Sequence, residues 1–248
     1  MAVGTVRFFS AALARPVPYT IILPEVREVG PGPYPVLLQL HGRYDDYAAW
    51  VVKSRLALYL ERLPLITVLP DGGNYWWSNV DPELRYEDLL VTDLWEHVNG
   101  AYAVRPDAPW AIGGLSMGGY GALRLGLKYP DKFCSVFAHS SVIPTPAFLR
   151  EREPKLSPEQ LRDMDCYRWA TEIDSARAPS LAFDCGTEDS LLDHNRAFHD
   201  HLNAVGLPHS YAEHPGGHTW DYWDQHVQTA LRRHAEVLGI EFLPPPGP

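Results

Sequence analysis

The sequence predicts an α/β fold in which a mostly parallel sheet is covered by helices on both faces. Short apolar runs, each closed by turn-forming residues, recur along the chain and are typical of buried strands. Segments with helical spacing of apolar residues lie between these runs, which favours parallel strands joined by helices. The chain has 248 residues, of which 46% are apolar, and can therefore bury a sizeable core. We expect one domain spanning residues 1–248.

The candidate strands begin near the N-terminus. Residues 1–14 superficially resemble a signal peptide, but Arg7 interrupts their apolar stretch and no basic region precedes it. We therefore interpret this segment as a first strand. The later strands are predicted at residues 17–23, 35–41, 65–69, 110–115, 134–138, 180–184 and 210–213.

Helices are predicted between these strands, over residues 89–98, 120–128 and 223–238. The stretch from about 145 to 179 breaks the alternation because it is rich in charge and proline. It holds one candidate helix, opened by Ser157 and Pro158. An insertion between two strands at this point projects over the carboxyl edge of the sheet, so we expect a small cap. The proline-rich tail, residues 243–248, is predicted to be extended.

Charge and composition argue against nucleic-acid binding and against a membrane-spanning protein. The formal net charge is −10, with 31 acidic and 21 basic residues, so a nucleic-acid partner is not expected. No run of about 18 apolar residues suggests a membrane span. Three scattered cysteines, Cys134, Cys166 and Cys185, are typical of reduced thiols and favour a cytoplasmic location.

A candidate nucleophile lies after the strand predicted at 110–115. Residues 114–118 have the pattern Gly-x-Ser-x-Gly with Ser116 at its centre, and two further glycines follow at 119 and 121. Glycines are needed because a serine on a sharp strand-to-helix turn leaves no room for neighbouring β-carbons. The helix that follows also aims its first amides at a developing oxyanion. A glycine-rich turn without chemistry is the alternative, and the flanking strand and helix disfavour it.

A reactive serine needs a base and an acid that orients the base. His218 follows the last predicted strand on a Gly-Gly loop, and Asp189 follows the strand at 180–184 just before a helical run. The order serine, acid, histidine is the one that suits a nucleophile elbow of this kind. Glu188 and Asp184 remain alternatives for the acid. His214 lies at a strand end, and we expect a supporting or surface role for it.

The chain contains eleven histidines, which raises the alternative of a metal site. His194, His199 and His201 share one helical stretch, but only the first and last lie on a common face. Neither a His-Glu-x-x-His motif nor a paired-cysteine spacing is found. We therefore expect no metal site.

A second group of candidate residues follows the strand at 35–41. Gly42 permits a close backbone approach, and the backbone N–H groups of Arg43 and Met117 would form the oxyanion pair. His41 is expected to be structural. An ordinary strand-to-loop junction is the alternative for this segment.

With these motifs assembled, the chain resembles the putative-esterase family of α/β-hydrolases, which includes esterase D and S-formylglutathione hydrolases, tributyrin esterases, feruloyl esterases and mycolyltransferases. The resemblance rests on seven ordered motifs between Arg7 and about Leu238. These motifs lie at residues 40–42, 70–72, 76–79, 86–88, 114–121, 185–189 and 215–218. It implies an α/β-hydrolase fold, a triad of Ser116, His218 and Asp189, no cofactor and frequent homodimerisation.

Within this family the chain is more similar to tributyrin and feruloyl esterases than to formylglutathione hydrolases. Residues 41–46 replace the Leu-x-Gly-Leu-Thr-Cys type of loop typical of the latter and place the charged Arg43 beside the oxyanion donor. Residues 139–141, His-Ser-Ser, replace a smaller Ser-Gly turn of the relatives. Gly42, Trp76, Trp77 and His139 are the candidate substrate-binding residues, with core packing the alternative for both tryptophans.

The sequence thus predicts a serine carboxylesterase whose substrates are small-molecule esters with a short-chain or aromatic acyl group. Hydrolysis is expected to pass through an acyl-serine intermediate. Arg43 raises a further hypothesis, in which esters with an anionic acyl group are preferred if its guanidinium faces the pocket. A thioesterase of the S-formylglutathione hydrolase type and an acyltransferase share the expected triad. A catalytically silent binding module with the same fold is the third alternative.

Overall fold

The computed structural model describes residues 1–242, and a central eight-stranded sheet dominates it. The strands are β1 (Ala2–Ser10), β2 (Arg15–Leu23), β3 (Val36–Leu40), β4 (Ile66–Pro70), β5 (Asn79–Asp81), β6 (Leu84–Arg85), β7 (Trp110–Leu115), β8 (Phe133–His139), β9 (Ser180–Gly186) and β10 (Ser210–His214). The sheet order is β1-β2-β4-β3-β7-β8-β9-β10, and β5 and β6 form a separate small hairpin. β1 and β2 are antiparallel, β2 is antiparallel to β4, and every other pair in the large sheet is parallel. The predicted mostly parallel sheet is confirmed.

Helices join these strands and cover the sheet. They are α1 (Val26–Val29), α2 (Ala49–Val52), α3 (Leu56–Leu60), α4 (Tyr86–Asp88), α5 (Trp95–Ala101), α6 (Met117–Lys128), α7 (Pro146–Arg152), α8 (Pro158–Asp163), α9 (Cys166–Glu172), α10 (Leu192–Val205) and α11 (Trp220–Leu238). A π-helical segment, Leu89–Leu94, joins α4 to α5 without a break.

The central strands are buried because both of their faces pack against helices. β3, β4 and β7 have no exposed residue, which explains their continuous apolar runs. Alternate residues of β3 face different cores: Leu38 packs in the core that includes α6, and Leu37 in the core that includes α3 and α11. Helices on both faces, as predicted, are therefore confirmed.

The segment expected to form a cap contains three short helices, α7, α8 and α9, rather than one. Ser157 begins α8 with a capping box, in which its side chain accepts the N–H of Gln160 and the Gln160 side chain accepts the N–H of Ser157. The predicted helix start is thus present. The tail predicted to be extended, residues 243–248, lies outside the described residues.

The parallel strands bring the candidate site residues to one edge of the sheet. β3, β7, β9 and β10 all end at this edge, and the segments that follow them carry Arg43, Ser116, Asp189 and His218. Within residues 1–242, Cys134, Cys166 and Cys185 are free thiols. In the same range, no helix combines the length and the apolar character that crossing a membrane requires.

Candidate active site

Ser116 occupies a strained turn between β7 and α6. Its backbone has φ 54° and ψ −115°, a combination that a residue with a side chain rarely adopts. A β-carbon on Gly118 would lie 2.5 Å from the carbonyl oxygen of Leu40, and one on Gly114 would lie 2.5 Å from the backbone of Gly118. Both glycines are therefore required for the helix to follow the strand so closely. The N–H of Ser116 donates to the carbonyl oxygen of His139, 2.9 Å away, which ties the turn to β8.

The hydroxyl of Ser116 belongs to a continuous hydrogen-bonded chain. Ser116 Oγ lies 3.0 Å from Nε2 of His218, and Nδ1 of the same ring lies 2.9 Å from Oδ2 of Asp189. An ionised carboxylate can only accept, so His218 carries its proton on Nδ1 and presents a lone pair on Nε2 to the serine hydroxyl. This arrangement can remove the proton of Ser116 while the imidazole stays oriented.

Asp189 is the acid that contacts His218. Its carboxylate also accepts the N–H of Leu191 at 2.8 Å. Burial alone would raise the pKa of Asp189, but the hydrogen bonds from His218 and Leu191 lower it below the ordinary value, so the group stays ionised. The alternative acid Asp184 hydrogen-bonds instead to His139 and to the hydroxyl of Tyr222.

The loops that carry the acid and the base are locked together. The N–H of Glu188 donates to the carbonyl oxygen of Gly216 at 2.9 Å, and a β-carbon on Gly186 would lie only 2.2 Å from the same oxygen. Gly216 has φ 132°, a backbone conformation that favours glycine. The His218 ring then packs edge-on against Trp223, with ring centroids 4.8 Å apart. The imidazole is thereby held over the sheet edge.

Two backbone amides beside Ser116 are available to an oxyanion. The N–H of Met117 is the first of α6 and has no acceptor within the helix. The N–H of Arg43 has no acceptor among residues 1–242. Gly42 allows this segment to lie close to Ser116, since a β-carbon there would lie 3.5 Å from Cβ of Ser116 and 2.6 Å from the Leu115 side chain.

His41 is buried beneath this segment and hydrogen-bonds to two backbone groups. Its Nδ1 donates to the carbonyl oxygen of Gly42 at 2.7 Å, and its Nε2 accepts the N–H of Gly72 at 3.0 Å. Burial lowers the pKa of His41, which keeps the ring neutral and suits this pairing. The ring links the loops after β3 and β4 in the way expected of a structural residue.

An open pocket of about 350 Å³ begins at Ser116. Its walls are formed by aromatic, apolar and basic side chains around the serine. The lining residues are Arg43, Trp76, Ser116, Met117, Val142, Phe148, Arg152, Leu191 and His194. The sequence had suggested Arg43, Trp76 and Met117, whereas the contributions of α7 and α10 come from segments whose position it did not define.

Two candidate substrate-binding residues lie away from this pocket. Trp77 is fully buried, and its ring packs against Gly72, Gly121 and His41. His139 is also fully buried, with Nδ1 held by Asp184. Neither side chain can touch a molecule in the pocket, because both face the interior behind the turns that carry the site.

A buried network of ion pairs lies beneath the site, and the sequence did not predict it. Arg124 of α6 has no exposed surface and pairs with Glu87 at 2.5 Å and with Asp163 at 3.0 Å. Lys128 adds a third contact, 2.6 Å from Glu87. Burial would raise the pKa of Glu87, but the charges of Arg124 and Lys128 lower it to about 2. The network ties α6, the helix that follows Ser116, to α4 and to the segment expected to form the cap.

The three histidines considered as metal ligands, His194, His199 and His201, each hydrogen-bond to a different partner. Nδ1 of His194 contacts the carbonyl oxygen of Ile143, His199 pairs with His209, and Nε2 of His201 contacts the carbonyl oxygen of Tyr167. They therefore form no common ligand set.

A different group brings potential metal ligands together. Ligand atoms of Asp184, His214 and His226 all lie within 4.8 Å of one another. The two imidazoles stack with centroids 4.3 Å apart and an interplanar angle of 12°, so their in-plane lone pairs run side by side instead of converging. Asp184 is also occupied by His139 and Tyr222. The geometry suits a packed polar cluster better than a metal centre.

Comparison with known proteins decides the family. The family described as "Putative esterase" matches residues 10–234. The chain belongs to this family. It is accordingly an enzyme that acts on carboxylic ester bonds, and the predicted resemblance and α/β-hydrolase fold are confirmed.

Individual relatives of this esterase agree with that membership. An acetyl esterase of Caldicellulosiruptor saccharolyticus is 26% identical over 96% of this chain and 99% of its own length. A solved ferulic acid esterase is 27% identical, with a TM-score of 0.83 over 95% of this chain and 98% of its own. An S-formylglutathione hydrolase of Staphylococcus aureus, 23% identical with a TM-score of 0.81 over 94% of this chain and 98% of its own, shares the fold.

Proposed function

We propose that this esterase is a serine carboxylesterase that hydrolyses short-chain or aromatic carboxylic esters through an acyl-Ser116 intermediate. The observation that carries the proposal is the hydrogen-bonded chain from Ser116 through His218 to Asp189, with 3.0 Å between Oγ and Nε2 and 2.9 Å between Nδ1 and the carboxylate.

In the first half-reaction, Ser116 Oγ attacks the ester carbonyl while His218 Nε2 accepts the hydroxyl proton. The bond from the carbonyl carbon to the leaving oxygen then breaks, and His218 returns the proton to that oxygen. Asp189 keeps the imidazole oriented and stabilises its charged form. In the second half-reaction, His218 Nε2 accepts a proton from a water molecule whose oxygen attacks the acyl carbon; the bond from that carbon to Ser116 Oγ then breaks, His218 returns the proton to Oγ, and the carboxylic acid is released.

The negative charge that develops on the carbonyl oxygen needs preorganised donors. The N–H groups of Met117 and Arg43 are free of other acceptors in the described chain; Met117 directly follows Ser116, and Arg43 follows Gly42, on which a β-carbon would lie 3.5 Å from Cβ of Ser116. Two such donors typically contribute several kcal/mol to transition-state stabilisation, roughly 3 kcal/mol for one donor.

The pocket and the relatives support the proposed substrate class. Trp76 and Phe148 provide aromatic walls beside Ser116, and about 350 Å³ suits a short or an aromatic acyl group. The relatives named as acetyl esterase and ferulic acid esterase span these two kinds of acyl group.

Replacing Ser116 with Ala tests the proposal. The variant should lose p-nitrophenyl acetate turnover by a factor of roughly 10³ or more while its circular dichroism and unfolding midpoint stay close to wild type. A well-folded variant with undiminished turnover would contradict the proposed nucleophile. A parallel panel of matched esters and thioesters distinguishes a carboxylesterase from a thioesterase, because the two differ only in the preferred leaving group.

A further inference from the structure

The pocket beside Ser116 concentrates positive charge. Arg43 enters it from the loop after β3, and Arg152 enters it from the end of α7. The side chains that line this pocket include no carboxylate. This is unusual for a chain with a formal net charge of −10, whose surface would otherwise repel anions.

The two guanidinium groups have no acidic partner within residues 1–242. Some other arginines of the described chain do have an acidic partner, as Arg55 has in Asp224 and Arg196 in Glu213. Arg43 and Arg152 instead lie over aromatic rings of the pocket wall. Cζ of Arg43 is 5.8 Å from the Trp76 ring centroid, and Cζ of Arg152 is 5.2 Å from that of Phe148. Stacking of this kind orients a guanidinium and leaves its N–H donors free for an anion.

His194 of α10 also lines the pocket, but in a different way from the two arginines. Its Nδ1 donates to the carbonyl oxygen of Ile143 at 3.2 Å, so its Nε2 is an acceptor with no partner in the described chain and is not a donor for an anion. The carboxylate of Glu153, the residue after Arg152, accepts the indole N–H of Trp76 at 3.0 Å and does not line the pocket.

The position of His218 indicates which part of an ester occupies this pocket. The leaving oxygen must come close to His218 Nε2, which returns its proton. His218 is not part of the pocket wall, whereas Ser116 and the oxyanion donor Met117 are. The pocket therefore extends from the carbonyl carbon in the direction of the acyl group.

We propose that Arg43 and Arg152 select esters whose acyl group carries an anionic substituent, such as a second carboxylate. This inference rests on the proposed function, because it assigns the acyl side through the roles of Ser116 and His218. A charge-assisted contact of this kind corresponds to a preference of roughly tenfold or more for the anionic ester.

Two chromogenic esters of one shape test the proposal. The 4-nitrophenyl ester of 4-carboxybenzoic acid carries the charge on the acyl side, and that of 4-methylbenzoic acid is its neutral counterpart. The ratio of their kcat/KM values should favour the anionic ester in wild type. Arg43→Gln and Arg152→Gln should each reduce this ratio severalfold, and the double variant should bring it close to one or below.

Arg150→Gln is the matched control, since Arg150 is exposed on the same helix as Arg152 but does not line the pocket. It removes the same charge and should leave the ratio unchanged. Turnover of p-nitrophenyl acetate without any preference for the anionic ester would overturn this inference and leave the proposed function standing. An equal fall of the ratio in Arg150→Gln would also overturn it, because general charge would then explain the preference. If the wild-type protein hydrolysed none of these esters, the proposed function would be refuted instead.

Discussion

Replacing Glu87 with Gln should make the stability of the fold less sensitive to acid. Glu87 is 2% exposed and holds Arg124 at 2.5 Å and Lys128 at 2.6 Å, two residues of the helix that follows Ser116. The substitution keeps the shape of the side chain and removes its charge. Arg124 then retains Asp163 and the carbonyl oxygen of Trp77 as partners, so the variant should still fold.

The magnitude follows from the pKa of the buried carboxyl. Its pKa is about 2 in the folded state against an ordinary value of 4.5. At about 1.4 kcal/mol per unit, this gap corresponds to a contribution of about 3 kcal/mol to the free energy of unfolding at neutral pH. Because the folded-state pKa is the lower one, the contribution is complete above pH 4.5 and is lost as the pH falls toward 2. Linkage gives a loss of about 1 kcal/mol between pH 7 and pH 3.5.

Urea unfolding at pH 7 and pH 3.5 measures this effect for wild type and Glu87→Gln. Wild type should be the more stable at pH 7, and the difference between the two proteins should shrink by about 1 kcal/mol at pH 3.5, since the other carboxyls are common to both. Glu172→Gln removes a carboxylate from an exposed ion pair and should show little change at either pH. A difference between wild type and Glu87→Gln that stays constant across the two pH values would refute the reasoning.

Three other predictions concern the site and the core. Gly118→Ala places a β-carbon 2.5 Å from a backbone oxygen and should cost about 2 kcal/mol or more of stability together with most esterase activity; wild-type values for both would show that the turn relaxes freely. Asp189→Asn should lower kcat roughly 10³-fold without loss of fold, because an amide donor disfavours the required His218 tautomer; a kcat within twofold of wild type would exclude Asp189 as the orienting acid. Burial raises the pKa of the Cys166 thiol, so the native protein should react with Ellman's reagent at Cys134 at most, whereas the unfolded chain should show all three thiols.

The parts of the fold that follow local rules were predictable from the sequence. Apolar runs with turn-forming ends located the central strands β3, β4 and β7 to within a few residues, because buried parallel strands need continuous apolar side chains. The glycines around Ser116 likewise reflect a local clash, with 2.5 Å between a β-carbon on Gly118 and a neighbouring backbone oxygen. The strand order then brings Asp189 and His218 to Ser116. The order of these three residues along the chain had already suggested this arrangement.

Features that depend on distant contacts were not predictable in this way. Arg124 lies in an apolar helix, and only the folded chain brings Glu87 and Asp163 within 3.0 Å of it. Trp77 directly follows Trp76, yet its side chain lies in the core while Trp76 lines the pocket. The difference arises from two successive residues with positive φ, at 59° and 54°, a backbone conformation that hydrophobic periodicity does not reveal. The pocket walls contributed by α7 depend on how that helix packs over the sheet edge.

The most direct test of the central claim, an acyl-Ser116 intermediate, is to look for an acyl group on Ser116 during turnover. Wild-type protein is mixed with excess p-nitrophenyl acetate, quenched with acid within milliseconds and digested, and the peptides are analysed by mass spectrometry. One acetyl group should be found on the peptide that contains Ser116, together with a burst of p-nitrophenol close to one equivalent per chain. Steady turnover with no acetyl group on any peptide, or with the group on a different residue, would contradict the account.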